Sequence, residues 1–151
     1  MPFLVPREGD VQLLADLLGG GALESWSLGL FNSAITPAET DTAATYTAHE
    51  ASFAGYARKP LTRSVSASTW NTPALQPPSG SPAWSGRTQV GHSQYGSAPQ
   101  TWTCTGAGDS VYGYFIIGAT SGKLICAERF ATPRTLASGD SLSMTPVFEA
   151  A

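Results

Sequence analysis

The sequence has few charged residues. Asp, Glu, Lys and Arg make up 13% of its 151 residues, and the net charge is -3. An ordinary soluble domain has about 25% charged residues. A weakly acidic chain has no positive field to attract phosphates, so we expect no nucleic-acid binding. The uncharged surface that this composition implies suits contact with another protein, because little charge must be desolvated. The same composition equally fits a surface that is merely soluble.

Long apolar runs are also missing. No stretch approaches the ~18 apolar residues that span a bilayer. The opening MPFLVPREGD meets Pro2, Pro6, Glu8 and Asp10 before any run of signal-sequence length. We therefore expect neither export nor membrane attachment.

Cysteine and histidine are scarce. Cys104 and Cys126 are too few for a disulfide scaffold, and both lie in strand-like segments. Buried free thiols are favoured, with a bridge as the alternative if the two strands are neighbours. His49 and His92 lie far apart, and no second histidine follows His49-Glu50 at metal-binding spacing. We read each as a solvated surface residue and predict no metal or cofactor.

The remaining catalytic motifs are incomplete. Residues 118–123, GATSGK, are one residue short of a phosphate-binding loop, and Leu124 stands where a hydroxyl is required. No Gly-x-Ser-x-Gly elbow occurs. Glu128 and Arg129 lie in an apolar strand without a matching acid or base, which favours a structural role. The sequence predicts a binding protein and no enzyme.

One helix is predicted, over residues 8–18. Val11, Leu14, Leu17 and Leu18 recur at helical spacing and form one apolar stripe. The glycines from Gly19 to Gly21 end the helix. A helix this short needs a docking partner for its stripe, either its own sheet, which we favour, or a neighbouring subunit.

The rest of the chain, residues 22–151, follows strand periodicity. Trp26, Leu28 and Leu30 alternate, as do Trp102 and Cys104. Residues 66–72 also resemble a strand, and Pro146 marks a sheet edge or a strand end. Seven to nine short strands predict one mainly β domain over residues 1–151, an antiparallel sandwich or barrel, jelly-roll-like. The predicted core contains Trp102, Tyr114, Ile116, Leu124, Leu142, Met144 and Phe148.

Two segments are candidates for partner contact. Residues 1–7 read as an extended arm with apolar Phe3, Leu4 and Val5, which could pack in a groove or add to a sheet edge. Residues 76–98 read as an irregular loop, dense in Pro, Gly and Ser from 76 to 86. Trp84 in this loop is either a contact anchor or a pin to its own core. Tyr95 is a further candidate contact.

The last third of the chain resembles a group of small virion proteins of tailed bacteriophages. The resemblance rests on residues 111–148, VYGYFIIGATSGKLICAERFATPRTLASGDSLSMTPVF, and extends to residues 4–18 and 30–64. It implies a role in the phage particle, on the capsid, the tail or a fibre. Among these, a capsid decoration or cement protein best suits the size and the jelly-roll-like pattern; such a protein would bind the major capsid protein on the outer capsid surface, as a dimer or trimer. It also implies assembly in the host cytoplasm, where Cys104 and Cys126 stay reduced.

Two other functions remain open. A tail or fibre component could bind host glycans through Trp70-Asn71, Trp84, and Tyr95 with Gln94, although aromatic residues in a small β protein more often belong to the core. A small enzyme on a β sandwich is the third possibility.

Overall fold

A computed structural model describes residues 4–19, 23–77, 88–96 and 98–150. Its elements in chain order are α1 (Arg7–Leu17), β1 (Trp26–Phe31), α2 (Ala43–Thr47), β2 (Lys59–Leu61), β3 (Ala74–Gln76), β4 (Val90–Gln94), β5 (Gln100–Thr103), β6 (Asp109–Gly118), β7 (Leu124–Leu136), β8 (Ser141–Met144) and β9 (Val147–Ala150). The chain is mainly β with antiparallel sheets, as the sequence predicts. The sheets are sandwich-like and form no closed barrel within the described residues.

The strands form three sheets. The largest has the order β2-β1-β6-β7, the second β3-β4-β9, and the third pairs β5 with β8. Central strand β6 pairs antiparallel with β1 and with β7. Both faces of this strand are covered, because its apolar side chains divide between two clusters. Tyr114 and Ile116 belong to the larger cluster, and Phe115 and Ile117 to the smaller one.

The predicted alternation is correct where strands carry large apolar residues. Trp26, Leu28 and Leu30 share the larger cluster with Trp102 and Cys104. Of the predicted core, Trp102, Tyr114, Ile116 and Leu124 are buried. Leu142, Met144 and Phe148 are partly buried against the same cluster. Cys104 and Cys126 are buried free thiols, as predicted.

The final segment divides at Pro146. β8 pairs with β5, whereas β9 pairs with β4 in a different sheet. Proline has no N–H to donate to a ladder, so the strand ends there, as the sequence indicates. The Pro146 carbonyl accepts a hydrogen bond from the Tyr95 N–H at 2.9 Å.

Residues 66–72 do not form the predicted strand. They make a turn closed by a bridge between Val65 and Trp70, in which the Ser66 hydroxyl lies 2.8 Å from that of Thr69. Short hydroxyl side chains bond locally and so compete with a strand ladder.

The predicted irregular loop over residues 76–98 is partly regular. β3 ends at Gln76, and β4 occupies Val90–Gln94. The chain also has a second helix, the five-residue α2, in which Thr42 and Thr45 form a capping box.

Helix α1 begins and ends close to its predicted limits. It ends there because Gly19, just after it, takes a φ of 74°, a left-handed conformation that stops a helix. Its predicted orientation is wrong. The stripe of Val11, Leu14, Leu17 and Leu18 does not dock on the sheet; all four are exposed, while Gly9 and Leu13 face inward.

Candidate binding surface

Helix α1 is fixed to strand β7 by close backbone contact. A Cβ built on Gly9 would lie only 2.3 Å from the Ile125 carbonyl oxygen, so only glycine allows this approach. Glu8 adds polar contacts: its carboxylate accepts hydrogen bonds from the Leu124 N–H at 2.8 Å and the Ala43 N–H at 3.3 Å. Burial alone raises the pKa of Glu8, but these bonds and Lys123 outweigh it and hold that pKa below its usual value.

The C-terminal half of α1 is held by an ion pair. Asp16, whose side chain is only 5% exposed, bonds to Arg63 and also accepts from the Gln12 side-chain amide at 3.0 Å. The Arg63 guanidinium lies 4.7 Å from the centre of the Trp26 ring. The inward side of the helix therefore docks through a glycine, a leucine and an ion pair, which explains why its more apolar side can face outward.

That outward side is the α1 apolar face, formed by Val11, Leu14, Leu17 and Leu18. These side chains are 70%, 56%, 81% and 76% exposed. A surface helix normally turns its apolar stripe toward the core. Contiguous apolar patches on a monomer mark interaction sites, whereas single exposed apolar residues need no explanation.

Beyond the end of α1 lies an apolar depression that we call the aromatic groove. Its volume is about 410 Å³, and it is lined by Leu23, Trp26, Arg63, Ser64, Val65, Trp70, Pro73, Ser93 and Phe148. Leu23 and Val65 are 62% and 61% exposed, so the groove has an apolar rim. Arg63 joins the groove wall to α1 through Asp16.

The floor of the groove is a packed set of rings. The Trp26 and Phe148 centroids are 5.0 Å apart, and Trp70 meets Trp26, Tyr95 and Phe148 edge to face. The indole N–H groups of Trp26 and Trp70 are buried with no hydrogen-bond partner among the described residues. The floor is thus built of packed aromatic rings, and Trp26 and Trp70 each expose only a small part.

The predicted contact residues lie in separate places. Leu4 is half-buried and pairs with Ala127 of its own chain through two backbone hydrogen bonds of 3.1 and 3.2 Å. Val5 is also half-buried. Tyr95 is only 7% exposed, and its hydroxyl accepts from the Thr62 N–H at 3.0 Å. Phe3 and Trp84 lie outside the described residues.

The residues considered for glycan binding, Trp84 apart, lie close together, but the rings of Trp70 and Tyr95 are buried. Trp70 pairs with Tyr95 in a β-bridge, and the Asn71 side-chain oxygen accepts from the Gln94 N–H at 2.7 Å. Trp70 is 8% exposed, so its ring offers little face on which a sugar could stack. In the described part of the chain this cluster is built as core.

The polar clusters connect elements of the fold. Glu50 accepts from the Tyr56 hydroxyl at 2.6 Å and from two nitrogens of Arg58 at 2.6 and 2.7 Å. Burial raises the pKa of Glu50, but the bonds from Arg58 and Tyr56 prevail and keep it below its usual value. The Tyr56 hydroxyl in turn accepts from the Leu30 N–H at 3.0 Å, which joins this cluster to β1.

The other candidate groups for chemistry are likewise engaged. His49 is exposed, but His92 is not a surface residue: its side chain is 18% exposed and lies 3.4 Å from Glu149. Glu128 accepts from the Tyr114 hydroxyl, while Arg129 donates to Thr36. No group of three or more metal-ligating side chains occurs among the described residues. No helix in the described part of the chain is long and apolar enough to cross a membrane.

Comparisons with known proteins return no match, whether with family models, with curated proteins or with solved structures. The candidate site therefore rests on geometry. Sequence reasoning identified the stripe on α1 but not the groove. Trp26, Arg63, Trp70 and Phe148 are distant in sequence, and no short motif connects them.

Proposed function

We propose that this chain is a structural protein of a bacteriophage particle, a decoration or cement protein that binds major capsid subunits on the outer capsid surface. The observation that carries the proposal is the α1 apolar face. Four large apolar side chains are exposed side by side on a helix that is itself fixed to the sheet. Such a face is costly for a protein that works alone and useful for one that works in an assembly.

The body of the protein suits this role. A central strand buried on both faces gives a rigid support, and the polar surface is dominated by hydroxyl groups. Thr101 and Ser143 face each other at 2.7 Å across β5 and β8, and Thr103 and Ser141 at 2.9 Å. Hydroxyl surfaces can approach another protein without desolvating charge.

The assignment to a phage particle comes from the resemblance of residues 4–18, 30–64 and 111–148 to small virion proteins. Residues 30–64 supply the last two residues of β1 and all of α2 and β2, and residues 111–148 supply most of β6 and all of β7 and β8. The resemblance therefore covers two strands of the four-stranded sheet completely, most of a third, and the end of the fourth.

Cryo-electron microscopy of the native particle tests the location. We expect density for the β body on the outer surface of the capsid, in contact with more than one major capsid subunit. Density on the tail instead, or the absence of the chain from purified particles, would refute the capsid role.

A salt titration tests the manner of attachment. Because the contact surfaces carry little charge, the chain should stay on the particles in concentrated salt. Release would be followed by sedimenting the particles and measuring the chain in the supernatant. Release by moderate salt would show that ion pairs hold it.

A further inference from the structure

We propose that the α1 apolar face is covered by a second copy of this chain, in a two-fold dimer in which α1 of each copy packs against the aromatic groove of the other. This inference concerns the chain free of the particle, where the face that the proposed function assigns to capsid subunits has no other partner, and it does not require the virion assignment. It rests on three properties of the described residues: complementary surfaces, their position, and their area.

The first property is complementarity. The chain carries an apolar helix face with anchors at Val11, Leu14 and Leu18, spaced three and seven residues from the first. It also carries an apolar groove floored by rings. An amphipathic helix laid in an apolar groove is a common mode of protein recognition, read as anchors at this spacing. Both halves of such a contact lie on one chain.

The second property is position. Asp16, in the last turn of α1, bonds to Arg63 in the groove wall, so the groove lies next to the C-terminal end of the helix. A two-fold axis between them brings each helix to the other copy's groove and buries both surfaces at once. A self-complementary patch of this kind closes as a dimer. The groove side of the contact carries little charge: Arg63, the charged residue of the groove lining, is already paired with Asp16.

The third property is area. It is given by the exposed areas of the α1 apolar face, Leu23 and Val65, taken together. Their sum is roughly 400 Å², if a fully exposed Leu or Val side chain has about 100 Å². Apolar atoms make up about 60% of a typical interface, so this corresponds to roughly 700 Å² on each partner. That value is close to the ~800 Å² per partner of a standard stable interface.

The first experiment measures the mass of the purified full chain by light scattering and sedimentation over a concentration series. We expect a dimer. The double variant Leu14→Glu/Leu17→Glu should raise the dissociation constant at least about 100-fold, because two apolar anchors become charges. The single variant Val65→Glu, on the groove rim, should weaken the dimer in the same direction.

The control variant is Ala131→Glu/Thr132→Glu. It adds the same two charges at exposed positions of β7, six residues or more beyond Ile125, where α1 packs. This variant should remain a dimer. Far-ultraviolet circular dichroism of every variant should match the original chain, since the changed residues are exposed in the single copy.

The second experiment tests which surfaces meet. A Leu17→Cys chain and a Val65→Cys chain, mixed and oxidised, should form a disulfide between copies, because the two positions meet in the proposed dimer. Native Cys104 and Cys126 are buried and should not compete. A wild-type monomer at all concentrations would overturn the proposal, as would a dimer that the α1 variants leave intact. Cross-linking of Leu17→Cys only with itself would place helix against helix and exclude the groove. Assembly beyond a dimer would exclude the two-fold arrangement.

Discussion

Strand β6 and helix α1 both carry large apolar side chains, but they dispose of them in opposite ways. In β6 the run Tyr114–Ile117 is at most 7% exposed, because the sheet is packed on both faces. In α1 the four residues of the apolar face are at least 56% exposed. The fold is therefore held together by the central sheet, whereas the apolar residues of the helix contribute little to it. They are available for contact outside the chain.

Truncation of Phe115 should have the largest effect. This residue of β6 is fully buried, lies 5.8 Å from the Tyr46 ring, and fills the space above Gly29. Phe115→Ala should lower the free energy of unfolding by about 3–5 kcal/mol, through lost burial and the cavity left behind. Urea denaturation followed by fluorescence measures this. A loss below about 1 kcal/mol would show that β6 is not the centre of the fold.

Adding a methyl group at Gly9, on the inward side of α1, should have the second-largest effect on stability. Gly9→Ala would be expected to stabilise an isolated helix by about 0.5–1 kcal/mol. Here the added Cβ meets the Ile125 carbonyl, so we expect a net loss of about 1–3 kcal/mol. The exposed position Ala15 gives the control, since Ala15→Gly reports helix propensity alone. A gain in thermal stability from Gly9→Ala would contradict the close contact between α1 and β7.

Removal of the Glu50 charge should have a moderate, pH-dependent effect. The pKa of Glu50 is lower in the folded chain than its ordinary value, so its contribution is present above about pH 5 and is lost as pH falls. Glu50→Gln should cost about 1–2 kcal/mol at pH 7, because Arg58 and Tyr56 lose a charged acceptor.

The pH profile isolates this residue from the others. Glu8 and Glu24 also have lowered pKa values, so the original chain loses stability in acid for several reasons. The difference between the original chain and Glu50→Gln should shrink from pH 7 to pH 3. A difference that is constant with pH would mean that packing, and not charge, explains the loss.

Truncation of Leu17, on the outward side of α1, should have the smallest effect on stability. Leu17→Ala should change the free energy of unfolding by no more than about 0.5 kcal/mol in dilute solution, where partner contacts are absent. The same denaturation experiment measures it. A loss above about 2 kcal/mol would mean that this side chain is covered within a single chain.

Local patterns were informative where burial on one face decides the structure. The alternation of Trp102 with Cys104 placed both on the correct face, and the glycines after Leu18 placed the end of α1. The same rule failed for α1, because an apolar stripe indicates that a face needs covering but not what covers it. Gly9 carried the missing information: a small residue on the opposite face allows close docking there.

The aromatic groove and the burial of Tyr95 both depend on contacts between distant parts of the chain. Tyr95 was predicted as a contact because an aromatic residue beside Gln94 could form part of a binding patch, but β4 and the turn ending at Trp70 enclose it. Residues 66–72 were predicted to form a strand, but their serine and threonine side chains form hydrogen bonds within a turn. Neither outcome follows from a local period, since each depends on which strands become neighbours.

The break at Pro146 has a consequence for how the protein unfolds. Ten consecutive residues, Ser141–Ala150, supply one strand to the sheet of β5 and another to the sheet of β3 and β4. Detaching β8 or β9 from its sheet would displace the other strand as well, because the two are joined through Pro146. The hydrogen bond from the Tyr95 N–H to the Pro146 carbonyl lies at this junction. The two sheets should therefore exchange their amide hydrogens as a single cooperative unit, with similar opening free energies on both sides of the proline.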